Sequence, residues 1–387
     1  MKNIVVIGVS CLEGMAGTRR VRNLIDPLLE KQSIYVSNLI YEKDSMQYAV
    51  KTGIDKGVQF KIIGFSKNIF SLFKFYYNGC KFLSETKRKS LKNILYNYDS
   101  PDIKNISFIL YAKLIGYKII FDIVEDHRYA PKHNSILYTF RVWSSVFLLK
   151  ALPFFSDWIV VISEHLRSRL HEVTKKKTPI TFIPITVNLR FFNTIEKKNY
   201  PENWKIFYGG SFGEKDGLEF LIKAFDVICS KFKNITLVIT GTGNSVQLSK
   251  FNQLISETTC QKNIIYKGYV SVHDYYKIIN DCDIFCMTRN NSSFANAGFP
   301  FKLGEFLAVG KAVIATAVGD IPLYLKNNIN AMLIRPESTS DLVDALSMII
   351  TNPGIMNRIG KEARKTAEVY FDTEVRSLQL LDIFEAI

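Results

Sequence analysis

A chain of 387 residues, 47% hydrophobic and 22% charged, carries enough apolar material for two cores, which excludes a disordered chain or one small domain. Its formal charge of +14 is one-sided: residues 1–200 hold 31 Lys and Arg against 16 Asp and Glu, and the remainder holds 19 against 20. A field confined to one half suits a phosphate-rich partner (a diphosphate substrate, anionic lipid or nucleic acid) better than a uniform compositional bias, which would touch both halves.

The first residues, MKNIVVIGVS, enter an apolar run directly, without the length or cleavage site of a signal peptide. Strands are expected over residues 4–9, 33–36, 60–65, 106–110, 118–123 and 158–162, with helices clearest over 19–30 and 164–172. The second half alternates strands at 205–208, 235–240, 264–266, 284–286, 312–315 and 331–334 with helices at 217–231, 245–257, 272–280, 301–309 and 340–350. Strands separated by helices imply parallel sheets with crossover helices, hence an α/β chain of two Rossmann-like domains. The boundary is expected in 187–204, giving domains of 1–190 and 191–369, with a last helix over 370–387 packing back on the first domain. The most apolar later stretch, 141–163, is interrupted by Lys150, Pro153 and Asp157, so no membrane-spanning helix is expected. Six scattered cysteines, none in a C-x-x-C pair, read as reduced cytoplasmic thiols rather than zinc ligands.

Several segments carry chemistry. Residues 14–23, GMAGTRRVRN, follow the first strand and open a helix, an arrangement that can hold an anion through Arg19 and Arg20 without being a dinucleotide fingerprint. Asp122, Glu125, Asp126 and His127 end a strand where α/β ligands bind; they read either as acceptor-positioning or proton-accepting groups or as a solvated acidic turn. Of the five histidines, His127 is the one placed at a site; His133, His165, His171 and His273 read as surface or helix residues. Residues 68–97 and 141–155 mix aromatic and basic side chains, which fits helices lying on an anionic membrane or gripping a lipid-diphosphate, and equally core-facing helices with lysine-rich outer faces. No nucleic-acid recognition motif is found.

In the second half, 208–225 (YGGSFGEKDGLEFLIKAF) reads as strand, Gly-rich turn and amphipathic helix. Residues 239–243 (ITGTG) are a strand running into a Gly-x-Gly turn, and 296–316 (NAGFPFKLGEFLAVGKAVIAT) a loop, a helix from Phe301 and a strand. The start of that helix can attract a diphosphate, Lys302 can reach a phosphate or sugar hydroxyl, and Glu305 can accept hydrogen bonds from vicinal hydroxyls such as those of ribose. An ordinary amphipathic helix with two surface charges is the competing reading.

The 296–316 segment resembles the donor-site motif of GT-B retaining glycosyltransferases, in particular family 4 and its bacterial surface-polysaccharide members. The resemblance implies two Rossmann-like domains facing an interdomain cleft, a UDP- or GDP-sugar donor, a glycan or lipid-linked acceptor, and retention by same-face attack without metal or other cofactor. It places Glu305 on the ribose, and Gly298, Phe299, Pro300 and Lys302 on the donor. Ala297 stands where the family carries a glutamate. The 208–217 turn resembles the family's basic pair against the diphosphate: Lys215 fits the lysine, Ser211 replaces the arginine, and Gly210 lies beside it. A fixed cation is needed there because negative charge develops on the leaving diphosphate. Gly243 would approach the nucleotide, Tyr269 and Val270 lie in the turn that reads the base, and Gly17 is placed in a phosphate-facing Gly loop, with Arg19, Arg20 and Asp126 toward the acceptor. Catalytic roles fall on Lys215, Glu305 and His127. Tyr269 is alternatively a packing tyrosine, Lys215 a solvated turn lysine. Asp281 and Asp283 resemble a metal-binding Asp-x-Asp but sit at a helix–strand junction and read as structural. A non-catalytic GT-B binding protein, suggested by Ala297 and Ser211, and a nucleotide-sugar epimerase using Asp122, Glu125 and Asp126 are the alternatives.

Overall fold

The computed structural model describes residues 1–12, 14, 16–43, 50–65, 68–130, 136–192 and 202–387. Met15, His133 and residues 193–201, half of the expected linker, therefore lie outside the described residues. The chain divides into two compact units, residues 1–186 with 373–387, and residues 187–372.

The first unit runs β1 (Lys2–Ile7), α1 (Ala16–Glu30), β2 (Ile34–Lys43), β3 (Lys51–Asp55), β4 (Val58–Phe65), α2 (Ile69–Thr86), β5 (Lys92–Tyr98), α3 (Ile106–Leu114), β6 (Lys118–Ile123), α4 (Ile136–Leu149), α5 (Leu152–Phe155), β7 (Trp158–Val161), α6 (Glu164–Thr174) and β8 (Ile180–Phe182). Among the described residues its sheet has the order β3-β4-β2-β1-β5-β6-β7-β8, parallel except for β3 against β4. The central strands are β-branched and buried on both faces, as a helix-covered parallel sheet requires. Helix ends follow local chemistry: Asn68 caps α2 and Ser163 caps α6, each through its side-chain oxygen.

The second unit runs β9 (Trp204–Ser211), α7 (Leu218–Lys231), β10 (Ile235–Thr242), α8 (Ser245–Ser256), β11 (Ile264–Tyr266), α9 (Val272–Asp281), β12 (Ile284–Met287), α10 (Ser293–Ala297), α11 (Phe301–Ala308), β13 (Ala312–Thr316), α12 (Ile321–Tyr324), β14 (Met332–Ile334), α13 (Thr339–Thr351) and α14 (Pro353–Tyr370). Its strand order is β11-β10-β9-β12-β13-β14, all parallel. Asn244 and Gln247 form a reciprocal capping box at α8, and Ser271 and Ser338 cap α9 and α13. The core is built from Ile206, Leu221, Phe225, Leu237, Ile284 and Ile314 with their neighbours. Each such side chain contributes about 1.5–3 kcal/mol by leaving water.

The closing helix, α15 (Thr373–Ala386), belongs to the first unit, where Leu380, Ile383 and Phe384 join Val21, Leu24 and Leu28 of α1 in one core. Both units are thus Rossmann-like α/β layers.

One expected strand is corrected. Residues 106–110 begin helix α3, and the strand of that βαβ unit is β5, fourteen residues earlier in the chain. The run Ile-Ser-Phe-Ile-Leu is short and apolar, so its periodicity cannot separate a buried strand from a buried helix turn. Here Phe108, Ile109 and Ala112 are the buried positions, at helical spacing.

In the second unit, Gly217 adopts φ +64° and passes so close to the end of β12 that a Cβ would lie 1.8 Å from the Thr288 carbonyl oxygen. Gly217→Ala therefore combines left-handed strain with a backbone clash, and we expect it to cost at least about 1–3 kcal/mol in urea unfolding. A midpoint equal to wild type would show that this contact does not hold the turn.

Candidate functional site

In open α/β sheets, ligands bind outside the carboxyl ends of the strands where the strand order reverses. In the first sheet that reversal lies between β1 and β5, in the second between β9 and β12. Each unit therefore supplies one crevice, and most of the residues singled out above sit at one or the other.

In the second unit, β9 ends in Gly210 and Ser211, and the chain turns through Glu214–Asp216 into α7. Tyr208 donates its hydroxyl to the Ser211 carbonyl at 2.8 Å, and the Ser211 hydroxyl binds Asp216. This turn is fastened to the segment after β12: the Asn290 amide donates to the Lys215 carbonyl at 3.0 Å, its side chain to the Glu214 carbonyl at 3.1 Å, and the Thr288 hydroxyl to the Asp216 carbonyl at 3.1 Å. The half-buried Lys215 ammonium lies 4.0 Å from the centroid of the Phe294 ring on α10. The turn lysine is thus held against the stretch that leads into α11.

That stretch continues through Gly298, Phe299 and Pro300, the residue preceding α11. Arg289, buried, donates to the Gly298 carbonyl at 3.4 Å. Phe299 is buried against Tyr324 and Phe371, so its side chain serves packing. Ala297, where the resemblance implies a glutamate, is fully buried. On α11, Lys302 places its ammonium 4.1 Å from the Tyr275 ring centroid, and the Tyr275 hydroxyl donates to Glu305 Oε2 at 2.8 Å. Glu305 is a buried carboxylate oriented by a neighbour rather than a surface charge. Gly243 lies between β10 and the Asn244 cap of α8. Tyr269 is 67% exposed, which corrects the packing alternative for it, and Val270 beside it is half-buried. Asp283 accepts the Lys205 amide at 3.0 Å and lies 3.5 Å from Lys311, while Asp281 pairs with Lys205, so both carboxylates serve internal contacts.

The first unit's crevice is wired differently. Arg20 is fully buried: Nε and Nη2 donate to Asp122 at 2.8 Å each, and Nη1 and Nη2 donate to the Pro184 and Ile183 carbonyls at 2.8 and 3.0 Å. Tyr96 also donates to Asp122, at 2.7 Å. This corrects the expectation that Arg20 contacts an acceptor phosphate, since its guanidinium is spent on tying α1 to β6 and to the chain beyond β8. The same bonds remove Asp122 as an epimerase acid or base. Arg19, half-buried in the first turn of α1, remains beside the crevice. Gly17 lies within α1 rather than in a loop, and a Cβ there would meet the Tyr98 ring at 2.9 Å. Its glycine serves that aromatic contact.

Asp126 is also corrected. It is buried and accepts hydrogen bonds from Arg128, Arg169 and His165. Burial alone would raise its pKa; Arg128, Arg169 and His165 outweigh that and hold it down to about 2. No acceptor needs to be invoked for this charge, and His165, a helix residue of α6 as expected, is a partner of Asp126.

His127 has both ring nitrogens committed. Nε2 lies 2.9 Å from Asp99 Oδ2 and Nδ1 lies 2.7 Å from the buried Ser145 hydroxyl. An ionised carboxylate only accepts, so Nε2 carries the proton toward Asp99. The expectation that His127 offers a ring nitrogen to substrate is therefore corrected: neither nitrogen faces outward in this arrangement. Burial lowers its pKa, but the hydrogen bond and charge of Asp99, with Glu125, outweigh burial and the opposing Arg141, leaving it above 6.5. Asp99 is the residue sequence reasoning missed. It follows β5, stands at φ +67° and is tied by its amide to the Asp122 carbonyl at 2.7 Å. A turn-forming Asp-Ser after an apolar alternating run was its only signal.

Two Rossmann-like α/β units, each with a crevice at its switch point, define the architecture of GT-B proteins. Residues 191–366 match the family model described as glycosyl transferases group 1. The fold is shared with sucrose-phosphate synthase from Thermosynechococcus elongatus (15% identity, TM-score 0.77, covering 100% of this chain and 99% of that one). It is shared too with Anabaena Alr3699/HepE in complex with UDP-glucose (13% identity, TM-score 0.76, 100% of both chains). Among curated relatives, the capsular polysaccharide biosynthesis glycosyltransferase CapM of Staphylococcus aureus is 24% identical over 189 residues, 47% of this chain and 47% of CapM. The chain spans about half the length of the curated relatives it matches.

Two expectations follow. Asp99→Asn leaves burial as the dominant influence, so the His127 pKa should fall below its ordinary value of 6.5 in an NMR titration of the imidazole. In wild type a raised folded-state pKa contributes stability that is fully present below about 6.5 and lost as pH rises through the folded value. An unchanged His127 titration in the variant would remove Asp99 as the cause. Arg20→Ala leaves Asp122 buried without its cation, and we expect a loss of about 3–5 kcal/mol by denaturant unfolding. A loss within 1 kcal/mol, roughly the surface-pair range, would contradict the buried-pair assignment.

Proposed function

We propose that the chain is a glycosyltransferase that moves a sugar from a UDP- or GDP-sugar to a glycan or lipid-linked acceptor, with retention and without a metal cofactor. The observation that carries it is the position of Lys215: the turn lysine is clamped beside the segment entering α11, at the switch point of a group 1 glycosyltransferase domain. A diphosphate seated at the start of α11 would meet its backbone amides with Lys215 and Lys302 nearby. Lys215 then neutralises charge developing on the leaving diphosphate, the task a metal performs elsewhere. Glu305, oriented by Tyr275, accepts hydrogen bonds from the ribose hydroxyls, and the exposed Tyr269 turn flanks the base. Retention proceeds by attack on the sugar face that the leaving phosphate vacates, so no protein nucleophile is required.

The Anabaena neighbour is described in complex with UDP-glucose, which supports a nucleotide-sugar donor here. The name of CapM supports a surface-polysaccharide acceptor. The epimerase alternative loses two of its three carboxylates, because Asp122 and Asp126 are consumed internally.

We expect UDP or GDP to raise the melting temperature, since a ligand that binds only the folded state stabilises it. With the matching donor and acceptor, Lys215→Ala should lower kcat by about 10²–10³. Glu305→Gln should act mainly on KM for the donor. Nucleotide stabilisation without transfer or hydrolysis across a panel of UDP- and GDP-sugars would instead favour a non-catalytic binding protein. Absence of any nucleotide effect would sink the donor site itself.

A further inference from the structure

We infer that the outer surface of α2, α3, α4 and α5 docks on an anionic lipid bilayer. Connections running from β4 through β8 all step the same way along the sheet, opposite to the β1–α1–β2 connection, so right-handed crossovers put α2 to α5 on one face and α1 on the other. On that face α2 contacts α3 and α3 contacts α5, while α1 is covered by α15.

A helix packed on a sheet normally turns polar residues outward. Here many of the outward positions on α2, α4 and α5 are aromatic. Phe70, Phe73 and Tyr77 of α2, Trp143 and Phe147 of α4, and Phe154 of α5 are each 60–82% exposed. On α4 the rings form a ladder, with Phe140 to Trp143 at 6.1 Å and Trp143 to Phe147 at 5.8 Å, and interplanar angles of 28° and 13°. Leaving such rings in water forfeits about 1.5–3 kcal/mol apiece, and an apolar patch on this scale marks a surface that is covered in use.

Charge selects the occupant. Glu85, in the last turn of α2, is the only carboxylate in the sequences of these four helices, against Lys74, Lys81, Lys113 and Arg141. Lys81 lies 3.7 Å from Glu85 and Arg141 is bound to Asp102 at 3.0 Å, and the set still carries a net positive charge. Lys150 follows α4 and is exposed. Rings with a one-signed set of cations match the headgroup layer, where phosphates meet Lys and Arg and aromatic rings sit at the interface. Among the described residues no helix is long and apolar enough to cross a membrane, so the geometry is that of helices lying on the surface. The inference extends the lipid-linked acceptor reading above, but its test needs neither donor nor acceptor, so either can fail alone.

The test is flotation of the full chain with vesicles of phosphatidylcholine alone or mixed with phosphatidylglycerol, with tryptophan emission as second readout. Trp143 is the exposed tryptophan, Trp204 being buried and Trp158 half-buried. The expected result is flotation and a blue shift with the anionic vesicles, weakened by salt. Phe70→Ser, Phe73→Ser, Trp143→Ser and Phe147→Ser combined should reduce flotation about tenfold or more, with an unchanged circular-dichroism melt. Lys113→Glu with Lys150→Glu should weaken binding while leaving the Trp143 emission of the free protein unchanged. No flotation with anionic vesicles overturns the inference, as does flotation that the aromatic variant leaves intact. A vesicle-free dimer that the aromatic variant abolishes would assign the face to a second copy of the chain and overturn it equally.

Discussion

Parallel strands joined by crossovers of one hand can extend a sheet in both directions only by reversing once, and the helices on either side part at that point. Both sheets obey this constraint, between β1 and β5 and between β9 and β12. The reversal decides where loops of unrelated sequence position converge. It brings the turn after β9 beside the segment after β12, although more than seventy residues separate Asp216 from Thr288. It likewise places Asp99, after β5, beside His127, after β6. Neither juxtaposition follows from local propensity.

Charged groups are held differently in the two crevices. In the first unit, ionisable groups near the strand ends are bound to one another: Arg20 with Asp122, Asp126 with Arg128, Arg169 and His165, and Asp99 with His127. Such groups set the shape of the unit. In the second unit, Lys215 lies over the Phe294 ring and Lys302 over the Tyr275 ring, contacts that orient each ammonium. The aromatic rings Phe294 and Tyr275 therefore belong to the description of the site as much as the lysines do.

What the sequence made legible is the second unit. Its strands are short β-branched runs bounded by glycine, its helices are capped or amphipathic, and the segments around Lys215 and Glu305 carry a pattern in adjacent residues. The first unit was less legible for two reasons. Its β5 strand, KNILYNY, mixes Asn and Tyr into an apolar run, and Asn93 and Asn97 are buried there through side-chain hydrogen bonds that no periodicity reveals. Its charged residues also looked like ligand groups because sequence cannot show a partner 102 positions away, as Asp122 is from Arg20. A buried arginine and a phosphate-binding arginine share one spelling.

The return of α15 to the first unit has a consequence for how the chain is made. Leu380, Ile383 and Phe384 complete a core that begins at Ile4, so the N-terminal unit stays unfinished on the ribosome while all of residues 187–372 emerge. At about 5–20 residues per second that is a wait of roughly 10–40 s, during which the nascent hydrophobic side of α1 is uncovered. The later-synthesised unit can close first, and the earlier one is sealed by a segment translated after it.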